Sequence, residues 1–233
     1  MPRLDGILVV VTGASRGIGR SIAVLFAKSG ARVAGCALGT HAGSFLDDLT
    51  LDERSRCLHA TCDVRVQGDI LRFRDDVQNV FGVTDILVNN AGIVARESAA
   101  TMALATWNDV LASNLTGTFL VTQAFLPAMQ SRRGGRIINV ASIAGRTGTP
   151  MLSAYCAAKH GVVGLTRALA EELRGDGITV NAICPGSVDT EMLKQGMPGG
   201  TPKMAAEEVA RVALFLAADA PSALTGACID VFG

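Results

Sequence analysis

Seven short apolar segments alternate with longer helical patterns along the chain, and this alternation limits the possible folds more than any other feature. The segments are rich in Val, Ile and Ala and lack the polar–apolar alternation of a strand with one solvent-facing side. They are Ile7–Val11, Ala31–Ala37, Cys57–Cys62, Asp85–Asn89, Arg136–Val140, Ile178–Ile183 and Ala227–Val231. Their nearly continuous apolar character predicts strands that are covered on both faces, as in a parallel sheet.

Helical patterns separate these strands, as parallel strand pairing requires. We predict helices at Gly17–Ser29, Val66–Phe81, Trp107–Gln130, Ser153–Arg174 and Ala205–Ala218, with a weaker one around Ser44–Leu51. Nothing in the composition divides the 233 residues, so 1–233 is predicted to be one domain. The expected fold is a single-domain α/β Rossmann fold, with a doubly wound seven-stranded parallel sheet and helices on both faces.

The charge balance and the cysteines narrow the classes of function. The 21 basic and 21 acidic residues cancel, so the chain lacks the basic surplus typical of binding to nucleic acids or anionic membranes. No apolar run reaches the roughly 18 residues that a membrane span needs, and no signal-peptide pattern is visible at the start. The six cysteines show no metal-ligand spacing, so we expect reduced thiols and no metal. We therefore expect a cytoplasmic protein with a small-molecule substrate.

The first predicted strand leads directly into the glycine-rich sequence "TGASRGIG" and then into a helix. Glycines allow a sharp turn and let the backbone approach a pyrophosphate, while the helix N-terminus offers free N–H groups. Tight turns without a nucleotide also use glycine, but this context favours dinucleotide binding. The predicted cofactor-binding residues of the turn are Gly13, Ser15, Arg16, Gly17, Ile18 and Gly19.

The end of the second strand bears on which dinucleotide is bound. A carboxylate there would accept a hydrogen bond from the ribose 2′-hydroxyl and repel a 2′-phosphate, but residues 36–41 contain none and the first is Asp47. Arg16 has the guanidinium geometry that suits a phosphate, although it could equally be a solvated loop arginine. These features favour NADP(H), with NAD(H) as the alternative.

Asp63 and Val64 follow the third strand. A carboxylate at this edge can accept a hydrogen bond from the adenine amino group, with Val64 against the adenine ring. The alternative is that Asp63 caps the helix beginning near Val66, and the two roles are compatible.

Tyr155, the only tyrosine, stands four residues before Lys159, so both lie on one face of the predicted helix. A nearby ammonium stabilises a phenolate and lowers the pKa of the phenol, which suits the pair for acid–base catalysis. The spacing is common by chance, but Ser142 follows the fifth strand and should emerge at the same edge of the sheet as the glycine turn.

Six ordered motifs now make the chain resemble a classical short-chain dehydrogenase/reductase. They are "TGASRGIG", "NNAG" (residues 89–92), "NLTGTF" with Asn114, Ser142, "YCAAK" and "PGSVDT" (residues 185–190). The resemblance implies that Tyr155 is the general acid/base and that Lys159 lowers its pKa and holds the nicotinamide ribose. It also implies that Ser142 orients the substrate oxygen and that the backbone carbonyl of Asn114 anchors a water in a proton relay.

The resemblance also implies further cofactor contacts. The segment flanking the adenine ribose is Asn90, Ala91 and Gly92, and the segment near the nicotinamide carboxamide and diphosphate contains Pro185, Gly186, Val188 and Thr190. Residues 186–202 are rich in Pro, Gly and Met and longer than a tight turn requires, which predicts a substrate lid. This lid is shorter than is usual for the family. Its Met192, Leu193 and Met197 either line the substrate site or pack into the protein.

The substrate class is the least constrained expectation. Several sequence segments most resemble those of 3-oxoacyl-thioester reductases, although sugar, steroid and polyol reductases share them. A non-catalytic dinucleotide sensor is a further alternative. Four arginines suggest docking of an acidic acyl carrier protein. The alternative is that they complement the negative C-terminal ends of helices. These residues are Arg132, Arg133, Arg136 and Arg174.

The chain stops at Gly233, where relatives continue into an interface tail, so we expect a homotetramer with one contact missing, or a homodimer.

Overall fold

A computed structural model describes residues 3–39 and 45–233 and contains the expected seven-stranded sheet. Every strand pair in it is parallel, in the order β3-β2-β1-β4-β5-β6-β7. The strands are β1 (Leu8–Thr12), β2 (Arg32–Ala37), β3 (Cys57–Thr61), β4 (Ile86–Asn89), β5 (Gly135–Val140), β6 (Ile178–Pro185) and β7 (Cys228–Val231). The predicted fold class is therefore confirmed, with strand ends that differ by one or two residues.

Eight α-helices connect or flank these strands in the described residues. They are α1 (Gly17–Lys28), α2 (Leu51–Ser55), α3 (Gln67–Phe81), α4 (Leu104–Leu111), α5 (Gly117–Arg132), α6 (Ser153–Glu172), α7 (Glu191–Gly196) and α8 (Ala206–Ala218). The helix predicted at Trp107–Gln130 begins earlier than expected and is interrupted by a π-helical turn at Ala112–Thr116.

The weaker helix predicted around Ser44–Leu51 is wrong where it can be compared. Ser44 lies outside the described residues, residues 45–48 form a 3₁₀ turn, and α2 begins only at Leu51. The physical reason for this start is Thr50, whose side chain accepts a hydrogen bond from the Glu53 N–H and completes a capping box.

The sheet is buried on both faces because successive residues of its central strands supply two separate cores. Val9 and Val11 of β1 pack in one core with α1 and α8, whereas Leu8 and Val10 pack in the other with α3, α5 and α6. All five residues of β1 are buried, which explains the continuous apolar run over residues 8–11.

The topology fixes where a ligand can bind. β1 pairs with β2 on one side and with β4 on the other, so the direction of winding reverses between β1 and β4. In open α/β sheets this reversal leaves a crevice at the carboxyl ends of the strands. No helix among the described residues is both long enough and apolar enough to cross a membrane.

Candidate active site

The glycine turn after β1 has a backbone shape that only glycine accommodates. Gly13 and Gly17 have positive φ angles of 68° and 54°. A Cβ on Gly19 would stand 2.2 Å from Asn90 Nδ2 and 2.3 Å from the Gly13 carbonyl oxygen. The Arg16 side chain does not cap α1, and the first turn of this helix carries no acidic residue, so the partial positive charge there suits an anionic group.

Asn90 and Thr12 tie this turn to the end of β4. Asn90 Nδ2 donates to the carbonyl oxygens of Thr12 at 3.0 Å and Gly13 at 3.1 Å. The Thr12 hydroxyl accepts from the backbone N–H groups of Asn90 at 3.0 Å and Ala91 at 3.1 Å. The "NNAG" segment therefore lies beside the glycine turn, and Thr12 is a bracing residue that the sequence reasoning missed. Its only signal was a polar residue at the end of an otherwise apolar strand.

The end of β2 presents no carboxylate in its described part. Leu38 is 63% exposed there, and Thr40 and His41 lie outside the described residues. Arg16 is exposed on the glycine turn, directly before α1. This arrangement is compatible with a 2′-phosphate, and the NADP(H) preference stays a prediction.

Asp63 is held by an arginine and does not cap α3. Arg65 donates to both carboxylate oxygens: its Nη2 lies 2.8 Å from Asp63 Oδ2, and its Nε lies 3.0 Å from Asp63 Oδ1. This guanidinium, chiefly through its hydrogen bond, lowers the pKa of Asp63. The residue before α3 is Val66, which receives no side-chain cap, so the capping alternative is wrong. Val64 is buried and lies against Gly117.

Tyr155 and Lys159 share one face of α6, as predicted, and both are buried. Lys159 Nζ donates to the Val140 carbonyl at 2.8 Å and lies 5.7 Å from the centroid of the Tyr155 ring. Ser142 follows β5, and its hydroxyl accepts from the Ala144 N–H at 3.1 Å. The side chains from β5 and α6 therefore meet at the carboxyl edge of the sheet.

Burial dominates the titration of this pair. It raises the pKa of Tyr155 to about 12, and the neighbouring Ser142 hydroxyl opposes this rise. It also lowers the pKa of Lys159 to about 8. The net shift of the Tyr155 pKa is therefore upward, opposite to the expected lowering by Lys159, because desolvation of the phenolate is the larger effect.

Asn114 lies in the π-helical turn and is completely buried. Its Nδ2 donates to the carbonyl oxygens of Ile93 and Val110, each at 2.8 Å, while its Oδ1 has no partner among the described residues. Its backbone carbonyl accepts from the Thr118 hydroxyl at 2.9 Å. The predicted water relay through this carbonyl stays a prediction, and Thr118 is a contact that the sequence reasoning missed.

Gly92 separates Asn114 from Lys159. A Cβ on Gly92 would lie 2.3 Å from Asn114 Oδ1 and 3.8 Å from Lys159 Nζ. The predicted catalytic residues Asn114 and Lys159 thus meet across a position with no room for a side chain.

The segment after β6 reaches the same crevice. Pro185 ends β6, and the Gly186 N–H donates to the Val231 carbonyl at 2.8 Å. Val188 is buried, and Thr190 Cγ2 lies 3.1 Å from where a Cβ of Gly17 would stand. The predicted nicotinamide segment is therefore next to the glycine turn.

The arginine cluster lies at the opposite edge of the sheet. Arg133 donates to the Gly175 carbonyl at 2.9 Å, and Arg136 donates to the carbonyls of Leu216 and Ala220 at 2.9 and 2.8 Å. Arg132 pairs with Asp85 at 2.5 Å, just before β4. The Arg136 contacts lie at the carboxyl end of α8, in agreement with the helix-terminus alternative for this residue, whereas Arg132 contacts Asp85. The cluster lies near the amino ends of the strands, and docking of an acyl carrier protein on it stays a prediction.

No group of three His, Cys, Asp or Glu side chains in the described part of the chain is arranged to hold a metal ion. All six cysteines are free thiols. Cys156, next to Tyr155, is partly buried, and burial raises the pKa of the Cys184 thiol to about 11.

Comparisons with known proteins agree with this geometry. The family model for short chain dehydrogenases matches residues 8–198. The chain is 36% identical over 240 residues to the 3-oxoacyl-[acyl-carrier-protein] reductase FabG of Haemophilus influenzae, covering 99% of this chain and 98% of that protein. It is 38% identical over 243 residues to the D-threitol dehydrogenase of Mycolicibacterium smegmatis, covering 99% and 93%.

Two solved structures of reductases have the same fold. A point variant of actinorhodin polyketide ketoreductase with NADPH superposes with a TM-score of 0.90 at 35% identity, covering 100% of this chain and 98% of that one. Levodione reductase superposes with a TM-score of 0.88 at 29% identity, covering 98% and 97%. The family binds nicotinamide dinucleotides and its members named here are oxidoreductases. The chain therefore belongs to the short chain dehydrogenase family and is an oxidoreductase.

Proposed function

We propose that this enzyme is an NADP(H)-dependent reductase of 3-oxoacyl thioesters. The observation that carries the proposal is the meeting of Tyr155, Lys159 and Ser142 beside the glycine turn. The proposed substrate class is supported by the 36% identity to a 3-oxoacyl-[acyl-carrier-protein] reductase over 99% of the chain.

The residues around the crevice fit a nicotinamide dinucleotide. Gly13 and Gly19 let the turn bend sharply and pack against Asn90, and the start of α1 would offer its free N–H groups to the diphosphate. Arg16 would hold the 2′-phosphate, and Asp63 the adenine amino group. The residues proposed to bind the ribose and the nicotinamide are Asn90, Ala91, Gly92, Pro185, Gly186, Val188 and Thr190. The bound cofactor would supply the hydride.

The protein side of the reaction is proton transfer to the substrate oxygen. A phenol with a pKa of about 12 keeps its proton at neutral pH, so Tyr155 is a proton donor to an oxygen that gains negative charge. Ser142 donates a hydrogen bond to the same oxygen and holds it near Tyr155. Lys159 places a positive charge beside the phenolate that remains, and the Asn114 carbonyl anchors the water that returns a proton.

A polyol dehydrogenase is the second candidate, because the 38% identity to a D-threitol dehydrogenase slightly exceeds that to FabG. The same residues would then catalyse the reverse reaction, in which Tyr155 accepts the proton of a secondary alcohol. Substrate preference, measured in both directions, separates the two candidates.

The assembly and the location follow as further proposals. We expect a homotetramer, or a homodimer, in the reducing environment of the cytoplasm, where free thiols persist. An acyl carrier protein would have to approach the carboxyl edge of the sheet, where the thioester must reach Tyr155.

The test is oxidation of NADPH and of NADH in the presence of 3-oxoacyl thioesters, cyclic ketones and sugars, with polyols and NADP⁺ in the reverse direction. We expect the highest kcat/KM with NADPH and a 3-oxoacyl thioester. A higher kcat/KM for a polyol would support the second candidate. No turnover with any member of the panel would contradict both.

A further inference from the structure

The lid is fixed at both ends and loosely attached between them. Its two ends pair with each other through a parallel bridge from Val188 to Met204, with the Asp189 N–H donating to the Met204 carbonyl at 3.0 Å. Between these ends lie α7, only six residues long, and Gly199, whose positive φ of 77° gives the backbone a turn. Among the residues that the structure describes, two hydrogen bonds join residues 191–202 to the protein outside the lid.

The first bond places a methionine on the catalytic hydroxyl. The Tyr155 hydroxyl donates to Met192 Sδ at 3.8 Å, and Met192, like Trp107, packs against the buried apolar cluster that contains Tyr155. A thioether is a weak acceptor. While Met192 accepts this proton, it competes with a substrate oxygen for the same donor, and its withdrawal leaves the proton to the substrate.

The second bond holds the far end of α7. Arg96 Nη1 donates to the Gly196 carbonyl at 3.2 Å and to the Pro150 carbonyl at 3.4 Å. Arg96 follows β4 and Pro150 precedes α6, so one guanidinium connects the lid with the segment after β4 and with the segment before α6. Gly196 makes this approach possible, because a Cβ there would stand 3.1 Å from Val94 Cγ2.

We propose that Arg96 is a positioning residue that latches α7 over the site and keeps Met192 in the place of the substrate oxygen on Tyr155. The proposal rests on the proposed role of Tyr155. Substrate binding then requires the Arg96 latch to open, so the fraction of enzyme with an open lid sets the apparent affinity for the substrate. A closed lid also keeps water away from the phenol between turnovers.

Trypsin cleavage after Lys194 tests the latch in the enzyme alone, without cofactor or substrate. The side chain of Lys194 is 71% exposed on α7, and cleavage there requires local opening of the helix. We expect Arg96→Ala to speed the appearance of the fragment 1–194 by about 2- to 10-fold, the effect of losing one or two hydrogen bonds. Arg96→Lys keeps a donor and should restore most of the protection.

The matched control is Arg211→Ala, which removes an exposed arginine from α8, away from the lid. It should be cleaved after Lys194 at the wild-type rate. An unchanged rate in Arg96→Ala, or an equal increase in Arg211→Ala, overturns the latch.

Steady-state kinetics test the second half of the proposal. Arg96→Ala and Met192→Leu should each lower KM for a small 3-oxo ester by about 2- to 10-fold with little change in kcat, because both favour the open lid. Arg211→Ala, which changes an exposed residue of α8, should leave KM unchanged. A raised KM in both test variants would contradict the proposal and indicate that the lid only binds substrate. If the wild-type enzyme reduces no carbonyl, the proposed function fails, while the trypsin result still decides the latch.

Discussion

Replacing Gly92 with alanine should damage stability and activity together, because the new methyl group has no space. Its Cβ would lie 2.3 Å from Asn114 Oδ1, about 1 Å closer than an ordinary carbon–oxygen contact. Asn114 is completely buried and its amide makes two hydrogen bonds of 2.8 Å, so it cannot move without breaking at least one of them.

The size of the effect follows from these contacts. Leaving one buried polar group unsatisfied costs about 1–3 kcal/mol, and overpacking costs a similar amount. We therefore expect the free energy of unfolding to fall by about 2 kcal/mol or more. For a chain of this length, that loss lowers Tm by at least roughly 4 °C. Activity should fall as well, because Lys159 lies on the other side of Gly92.

The assay is thermal unfolding followed by circular dichroism at equal protein concentration, together with kcat/KM for the best substrate. Gly68→Ala is the matched control, because a Cβ there meets only Arg72 Nη1, at 3.7 Å, in the first turn of α3. This control should raise stability by roughly 0.5–1 kcal/mol through helix propensity. If Gly92→Ala melts like the control and keeps full activity, the steric argument is wrong.

Three further predictions concern the cofactor and pH. Arg16→Ala should raise KM for NADPH about 10-fold and leave KM for NADH unchanged, since it removes one charged contact to the 2′-phosphate; equal changes for both cofactors would contradict this assignment. The kcat/KM for reduction should fall as pH rises through about 8, where Lys159 of the free enzyme loses its proton, and Lys159→Arg should move that fall to higher pH. Arg65→Gln should weaken NADPH binding, measured by fluorescence titration, because the Asp63 carboxylate loses its support; unchanged affinity would remove Arg65 from the site.

Much of the fold was predictable because its signals are local. Continuous apolar runs such as Val9–Val11 indicated the buried parallel strands. The glycines that follow indicated a tight turn between β1 and α1. The order of the motifs was sufficient to predict that Ser142, Tyr155 and Lys159 meet at one edge, since parallel strands bring their carboxyl ends together.

The interactions that the sequence did not predict depend on tertiary contacts. Burial determines the direction of the Tyr155 pKa shift, and the depth of a side chain cannot be read from its spacing to Lys159. The destination of Arg133 is set by the packing of α5 against the end of α6, which places it away from the site. The π-helical turn at Asn114 has no propensity signal, because its hydrogen bonds form only in the packed helix.

The central claim is that the hydroxyl of Tyr155 supplies the proton, and Tyr155→Phe tests it most directly. Single-turnover NADPH oxidation should be measured alongside NADPH binding, with the best substrate of the panel at saturation. We predict that the variant binds NADPH with wild-type affinity and that its rate falls by about 10²- to 10⁴-fold, the usual contribution of a general acid. A variant that binds NADPH and reduces the substrate at the wild-type rate would contradict the account.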